Sequence, residues 1–270
     1  MTAEAIAGAA PGVTAARRPR FYVWVAVAMA ATAFLGFAPT YWAPLAQGVP
    51  EKIGVLAVHG TLFFGWTLFV VYQAWLVASG KVARHRDVGL MGVSLATAMV
   101  IFGVLAAINS ATRAAAMNAR EAGEAFIVVP LSAMFLFAVL VTAAIFNIPR
   151  PEWHKRLMLA ATAVILEAPI ARPFIVYVVM GGHPPPFQGT VGLAGLGGPP
   201  PPVLGVLPPA LIGLLFIVAG IVRDWRVLGK PHPAYLWAGG FALSVLVLRA
   251  PFSDTSLWHG IARSLIALAT

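Results

Sequence analysis

Residues 53–87 read IGVLAVHGTLFFGWTLFVVYQAWLVASGKVARHRD, and this stretch decides the fold. About 27 residues ahead of Lys81 carry no charge, a length that lets a helix cross about 30 Å of hydrocarbon. Polar side chains inside a membrane turn toward protein, so one face of this helix should contact its neighbours. The residues on that face alternate in steps of four and three: His59, Phe63, Trp66, Val70, Gln73 and Val77.

The composition of the whole chain is that of a membrane protein. Of its 270 residues, 60% are hydrophobic and 10% are charged, whereas about 25% are charged in soluble domains. The sequence has no cysteine, which excludes disulfides, thiolate metal sites and iron–sulfur clusters. The net charge is +9, but the basic residues form short clusters between apolar runs. No nucleic-acid partner is therefore predicted.

Seven apolar runs predict an all-α integral membrane protein with seven transmembrane helices. The predicted spans are Phe21–Trp42, Ile53–Gly80, Val88–Asn109, Ala125–Ile148, Leu157–Met180, Val206–Val222 and Tyr235–Leu248. We expect a disordered basic tail at 1–20, a transmembrane domain at 21–248 and an outer interfacial helix at 249–270. Residues 181–207 are dense in proline and glycine, which predicts an irregular outer loop that caps the outer face, docks a partner or simply connects two spans.

The distribution of lysine and arginine predicts how the bundle is oriented. With the N-terminus in the cytoplasm and the C-terminus outside, inner segments hold twelve basic residues and outer segments five, the positive-inside pattern. The inner ones are Arg17, Arg18, Arg20, Lys81, Arg84, Arg86, Arg150, Lys155, Arg156, Arg223, Arg226 and Lys230. The outer ones are Lys52, Arg113, Arg120, Arg249 and Arg263.

Each predicted inner loop brings a histidine to the start of the following span. These histidines are His85, His154 and His232. Three neutral imidazoles at one depth can hold a zinc or iron ion, and two can be the axial ligands of a haem. Histidines flanked by arginine and lysine can also simply lie among the lipid headgroups. The sequence leaves these readings open.

A second candidate site lies in the outer half of the membrane. At 1.5 Å per residue, His59 is about 9 Å below the outer boundary, while Arg172 and Glu167 are about 22 Å and about 15 Å above the inner one. His59 and Arg172 therefore share a depth. Pro169 and Pro173 predict a kinked or open helix beside these charges. We predict a polar pocket of His59, Glu167 and Arg172 that binds a quinone headgroup or a small carboxylate, or relays protons. The alternatives are an internal ion pair, or an Arg172 side chain that reaches the outer headgroups while Glu167 is protonated.

Two segments carry a resemblance to known proteins: HGTLFFGWTLFVVYQAWLVASGKVARHRDVGLMG and PEWHKRLMLAAT. They resemble a group of uncharacterised bacterial polytopic membrane proteins whose pattern is similar to cytochrome b561-type haem proteins. In that pattern, histidines on spans two and four bind one haem, and histidines on spans three and five bind another. The resemblance implies His85 and His154 as haem b ligands in a bacterial cytoplasmic membrane. Span four contains no histidine to pair with His59.

Three functional hypotheses follow. The first is a haem- or metal-binding membrane protein in electron transfer or redox handling, with His85, His154 and His59 as cofactor ligands. The second is a zinc-dependent membrane hydrolase that uses His85, His154 and His232. The third is a non-enzymatic accessory, pigment-binding or transport subunit of a larger membrane complex. A lone intramembrane histidine such as His59 can be the axial ligand of a chlorin as well as of a haem.

Overall fold

The computed structural model of the chain describes residues 20–50, 54–188 and 190–268, with the backbone alone at 193 and 194. Within these residues the chain forms helices and no strand. Seven of the described helices are long and apolar enough to cross a membrane, which confirms the predicted all-helical, multi-pass architecture. The predicted tail lies outside the described residues except for Arg20, and so do Lys52 and the predicted start of the second span.

Six of the seven described spans are longer than the sequence predicts, and the second is shorter. Their bounds are Phe21–Ala46, Val55–Ala78, Val82–Ala116, Arg120–Phe146, Pro151–Val179, Val203–Leu228 and Pro233–Ser253. A shorter helix, Ser256–Ala267, follows the last span. Charged residues continue the apolar helices, so the prediction that Arg249 belongs to an outer segment is wrong. Arg249 lies inside the seventh helix and is 3% exposed.

We name the two ends of the bundle by their residues. The basic face holds the start of the first span and the loops at 79–81, 147–150 and 229–232. Side chains from distant parts of the sequence meet at this face, as Arg156 and Asp224 do. The opposite face holds residues 117–119, the proline-rich loop at 180–202 and the last helix.

The fifth span is the centre of the bundle. In its most apolar 18-residue window, 72% of the residues are buried, against 11% in the second span. Alanines at 160, 161 and 163 are buried, and small residues allow neighbouring helices to approach closely. Between them, Thr162 Oγ1 accepts a hydrogen bond of 3.2 Å from Trp66 Nε1. Trp66, from the predicted contact face of the second span, is thus buried against the central helix.

The fifth span is interrupted on its way to the opposite face. Its first part, Pro151–Val164, ends in a turn, and the chain continues as Glu167–Pro173. A wider π-helical segment, Phe174–Val179, follows. The interruption lies where Pro169 and Pro173 predict one, because a proline cannot donate to the carbonyl four residues earlier.

The first span changes in the same region. Its α-helix ends at Gly36, and the π-helical segment Ala38–Trp42 follows. Gly36 touches the fifth span so closely that a Cβ there would lie 2.7 Å from the carbonyl carbon of Pro169. The absence of a side chain at Gly36 therefore brings the two irregular segments into contact.

The proline-rich loop packs against the end of the first span. The backbone N–H of Gly192 donates to the carbonyl of Thr40 at 2.6 Å, and the N–H of Val191 donates to the carbonyl of Pro50 at 3.1 Å. Thr190 and Val191 are buried. The loop is mostly irregular, as predicted, and it covers this part of the opposite face.

Candidate functional site

Two of the predicted inner histidines are neighbours at the basic face. His85 is in the first turn of the third span, and His154 is in the first turn of the fifth. Pro151 starts the fifth span because its fixed φ suits the first helical position and its missing N–H has no partner to lose there. The two ring centroids are 6.3 Å apart, with planes at 78°.

Each ring has one nitrogen engaged by backbone. His154 Nδ1 lies 2.9 Å from the carbonyl oxygen of Ala144. The His85 ring interacts with the backbone of Gln73, while its Nδ1 is buried and has no hydrogen-bond partner in the described structure. His85 Nδ1 and His154 Nε2 are therefore the nitrogens free to bind a ligand.

His232, the third predicted ligand, has a different role. It caps the seventh span, and its Nδ1 accepts a hydrogen bond of 3.1 Å from the N–H of Ala234. Its ring packs edge-on against Trp153 at 5.3 Å. Partial burial lowers the pKa of His232 below its usual value, so the ring is neutral at pH 7 and can act as this acceptor.

Beside the histidines, the basic face contains a buried ion cluster that includes Arg156 and Arg223, two of the basic residues predicted in inner segments. Arg156 and Asp224 both have side chains that are 0% exposed. Arg156 Nε and Nη2 donate to the two Asp224 oxygens at 2.6 and 2.8 Å. Its Nη1 donates to Glu152 Oε2 at 2.6 Å, and Arg223 Nη1 donates to Asp224 at 2.9 Å. Both carboxylates thus neutralise the buried guanidinium.

Two tyrosines, Tyr22 and Tyr235, lie next to this ion cluster. The guanidinium of Arg156 lies 5.6 Å from the ring centroid of Tyr235. The Tyr235 hydroxyl donates to that of Tyr22 at 3.4 Å. Gly220 makes room for this arrangement, since a Cβ there would overlap the Tyr235 ring. The cluster therefore ties the first, fifth, sixth and seventh spans together.

In the opposite half, the predicted pocket is arranged differently from the expectation. Glu167 pairs with Arg249, not with Arg172: Arg249 Nη1 donates to Glu167 Oε2 at 2.8 Å, and Nη2 donates to Oε1. Ser132 Oγ is 3.4 Å from the same Nη1. The pair forms because Glu167 begins the helix segment that follows the turn and faces the seventh span there, whereas Arg172 lies on a different side.

His59 and Arg172 lie in the same half of the bundle, on the second and fifth spans. The charge of Arg172 acts on the His59 imidazole, and the Arg172 guanidinium lies over the ring of Phe37, 4.2 Å from its centroid. Arg172 Nη1 donates to the carbonyl of Ala168. No carboxylate pairs with Arg172 in the part of the chain that the structure covers.

A third buried acid anchors the last helix. Glu124 is 4% exposed, and its Oε2 lies 3.0 Å from His259 Nδ1 and 3.9 Å from Arg263 Nη1. Trp258 Nε1 donates to the Glu124 carbonyl at 2.8 Å. A cavity of about 320 Å³ opens beside this corner, with Arg120 and Arg263 in its wall. These contacts hold the last helix on the third and fourth spans.

The described residues contain no group of three or more His, Cys, Asp or Glu side chains placed to hold a metal ion. Comparison with known protein families, curated proteins and solved structures gives no match to this chain. The candidate site therefore has to be judged by its own geometry. The resemblance to cytochrome b561-type proteins stays a prediction.

Proposed function

We propose that this chain binds haem b between His85 and His154 and takes part in electron transfer in the bacterial cytoplasmic membrane. The observation that carries the proposal is the 6.3 Å separation of the two imidazole centroids. At this separation, His85 and His154 would be the two side chains that hold the haem iron.

The hydrogen bonding of the two rings supports the same function. The contact of His154 Nδ1 with the Ala144 carbonyl leaves Nε2 for a metal, and such a second bond fixes the tautomer and makes the ligand more basic. His85 Nδ1 is buried and has no hydrogen-bond partner among the residues that the structure describes. Because an unsatisfied buried nitrogen costs about 1–3 kcal/mol, a ligand at this atom would remove a penalty that the unliganded protein carries.

The charges around the pair suit a haem as well. Arg84 and Arg86 flank His85, and Lys155 follows His154. Haem propionates are carboxylates, which arginine and lysine bind through charge-assisted hydrogen bonds. When bound, the iron supplies one-electron redox chemistry. The protein would hold the haem through the two imidazoles, and its arginine and lysine side chains would form ion pairs with the propionates.

The orientation belongs to the same proposal. The basic face, with Lys81, Arg150 and Lys230 in its loops, lies in the cytoplasm, and the last helix lies outside. This orientation puts the haem near the inner leaflet. An electron carrier at that depth exchanges electrons with partners at the cytoplasmic surface or with a quinone in the bilayer.

The zinc-hydrolase hypothesis ranks lower because it needs a third ligand. His232 uses its Nδ1 as a helix cap, and no three-ligand group exists among the described side chains. A hydrolytic zinc site keeps three protein ligands and one open position. The accessory, pigment-binding or transport hypothesis rests on His59 and stays a prediction.

The test is an absorption spectrum of the purified protein, oxidised and then reduced with dithionite, with metal analysis of the same sample. We expect one haem per chain with a b-type reduced spectrum. His85→Ala and His154→Ala should each abolish it. His183→Ala is the matched control, since His183 is exposed in the loop of the opposite face. A colourless protein from haem-supplemented cells, or a spectrum that survives both alanine variants, would overturn the proposal.

A further inference from the structure

Arg172 lies at the contact between the two irregular segments of the bundle. It is near the end of Glu167–Pro173 in the fifth span. Its guanidinium covers Phe37, the residue before the π-helical segment of the first span. Interrupted helices inside a membrane leave backbone and side-chain polar groups available, and such segments are found where a protein binds ligands.

Three buried polar atoms in this half of the bundle have no hydrogen-bond partner in the described residues. They are Arg172 Nε, His59 Nδ1 and Thr40 Oγ1. Thr40 is 0% exposed and lies three residues after Phe37, the residue that Arg172 covers. The centroid of the His59 ring lies 4.1 Å from that of Phe63, and the charge of Arg172 acts on the imidazole. Buried polar groups are normally hydrogen-bonded, so these three unpaired atoms indicate a ligand.

No carboxylate of the described residues neutralises the charge of Arg172. Glu167 is the acid nearest to Arg172 in sequence, and both of its carboxylate oxygens accept hydrogen bonds from Arg249. A guanidinium inside a membrane is expensive unless it is neutralised. The missing partner is therefore an anion, and the planar fork of arginine suits a carboxylate or a phosphate.

The surroundings indicate what else the ligand carries. Phe37 belongs to an aromatic cluster whose rings lie 4.6 to 6.1 Å apart: Phe34, Phe37, Trp42 and Phe64. The loop bonded to the Thr40 carbonyl covers this region from the opposite face. Arg172 is only partly exposed, and Ala168 beside it is exposed. A ligand therefore enters from the side, where the bundle surface faces lipid, and needs an apolar body.

We propose that Arg172, with His59 and Thr40 beside it, binds the anionic head of an amphipathic lipid, either a long-chain carboxylate or a phospholipid phosphate. The guanidinium pairs with the anion, and Nε, the free His59 nitrogen and the Thr40 hydroxyl complete its hydrogen bonds. The acyl chain lies along the aromatic cluster. The site is separate from the histidine pair of the basic face and does not depend on haem binding.

The test uses the full-length protein in a neutral detergent. Radiolabelled hexadecanoate is titrated by equilibrium dialysis, and phospholipid that remains bound is quantified by mass spectrometry. Arg172→Gln should weaken hexadecanoate binding at least about tenfold, because a charge-assisted pair is lost. Arg172→Lys keeps the charge and loses the forked guanidinium, so its affinity for hexadecanoate should lie between those of the wild type and Arg172→Gln. Arg113→Gln is the matched control, since Arg113 also has a buried Nε with no hydrogen-bond partner in the described part of the chain.

The two lipid sources give different results. Saturable binding of one hexadecanoate per chain, lost in Arg172→Gln and kept in Arg113→Gln, supports a carboxylate site. One tightly held phosphatidylglycerol per chain, lost in the same variant, supports a phosphate site. Binding of neither lipid, or equal loss in both variants when both elute as folded protein, overturns the proposal. Haem content in Arg172→Gln separates this test from the proposed function, because it should stay at the wild-type level.

Discussion

The two arginines of the fifth span differ in their hydrogen-bond partners. Arg156, near the basic face, is 0% exposed, and each of its three nitrogens donates to a carboxylate. Arg172, about four turns further along, donates one hydrogen bond to a backbone carbonyl, and its Nε has no partner among the described residues. One span thus contains a guanidinium whose charge is neutralised by carboxylates of the protein and another for which the described residues supply no carboxylate.

The difference separates a structural role from a binding role. A buried ion pair with all its hydrogen bonds made holds helices in one arrangement, and removing either partner leaves a buried charge. A buried cation that lacks its anion destabilises the protein until something binds. We infer that Arg156 supports the fold and that Arg172 serves a ligand. Each substitution below tests one side of that contrast.

The largest effect is expected for Asp224→Asn. It leaves Arg156 buried with one carboxylate, the half-exposed Glu152, and should lower the free energy of unfolding by about 3–5 kcal/mol. Unfolding in increasing mole fractions of dodecyl sulfate, followed by circular dichroism, measures the change. Asp87→Asn, at an exposed position of the third span, is the control and should change it by less than about 0.5 kcal/mol.

A double variant sharpens this result. Arg156→Met with Asp224→Leu removes both charges and replaces them with apolar side chains. If the charge left alone causes the loss, the double variant should recover most of the stability. A double variant as unstable as Asp224→Asn would mean that the geometry of the cluster, and not its charge balance, supports the bundle.

A smaller effect is expected for Gly220→Ala, which acts on the packing around the cluster. The new Cβ would overlap the Tyr235 ring, so Tyr235 must move away from Arg156 and Tyr22, with a loss of about 1–3 kcal/mol. Gly240→Ala is the control on the next span, because a Cβ there meets no atom of the described residues within 4 Å. Alanine in an open helix position stabilises by up to about 1 kcal/mol. Equal stability of both variants in the dodecyl sulfate titration would contradict the packing role.

The number and type of helices could be predicted because membrane spans are a local property. A run of apolar residues sets a helix wherever it occurs, and the prolines of the fifth span marked its interruption. Span ends were predicted less well, since hydropathy stops at the first charge. The third span continues back through Asp87 and His85 to Val82, and the seventh continues past Arg249 to Ser253.

The pairing of charges could not be predicted because it depends on distant residues. Arg249 meets Glu167 across 82 positions of sequence, and Arg156 meets Asp224 across 68. Residue counting along each helix places His59 and Arg172 at one depth, and their grouping in one pocket stays a prediction. Residue counting gives the depth of a side chain but not its direction around the helix. The prediction therefore grouped Glu167 with Arg172 in one pocket, whereas Glu167 faces the seventh span.

The smallest effect on stability is expected for Arg172→Gln. The substitution removes an unneutralised buried charge, which is a gain, and loses a cation–π contact and a hydrogen bond of about 1 kcal/mol each. These terms nearly cancel, so the free energy of unfolding should change by less than about 1 kcal/mol in lipid-free detergent. The dodecyl sulfate titration that reports a large loss for Asp224→Asn should report almost none here.

Adding hexadecanoate to that titration completes the comparison of the two arginines. A ligand that binds only the folded state stabilises it in proportion to its occupancy, by about 2.7 kcal/mol at a hundred times the dissociation constant. The wild type should gain stability and Arg172→Gln should not, while Asp224→Asn should gain as much as the wild type because its lipid site is intact. If Arg172→Gln alone loses as much stability as Asp224→Asn, Arg172 supports the fold as Arg156 does, and the contrast between them disappears.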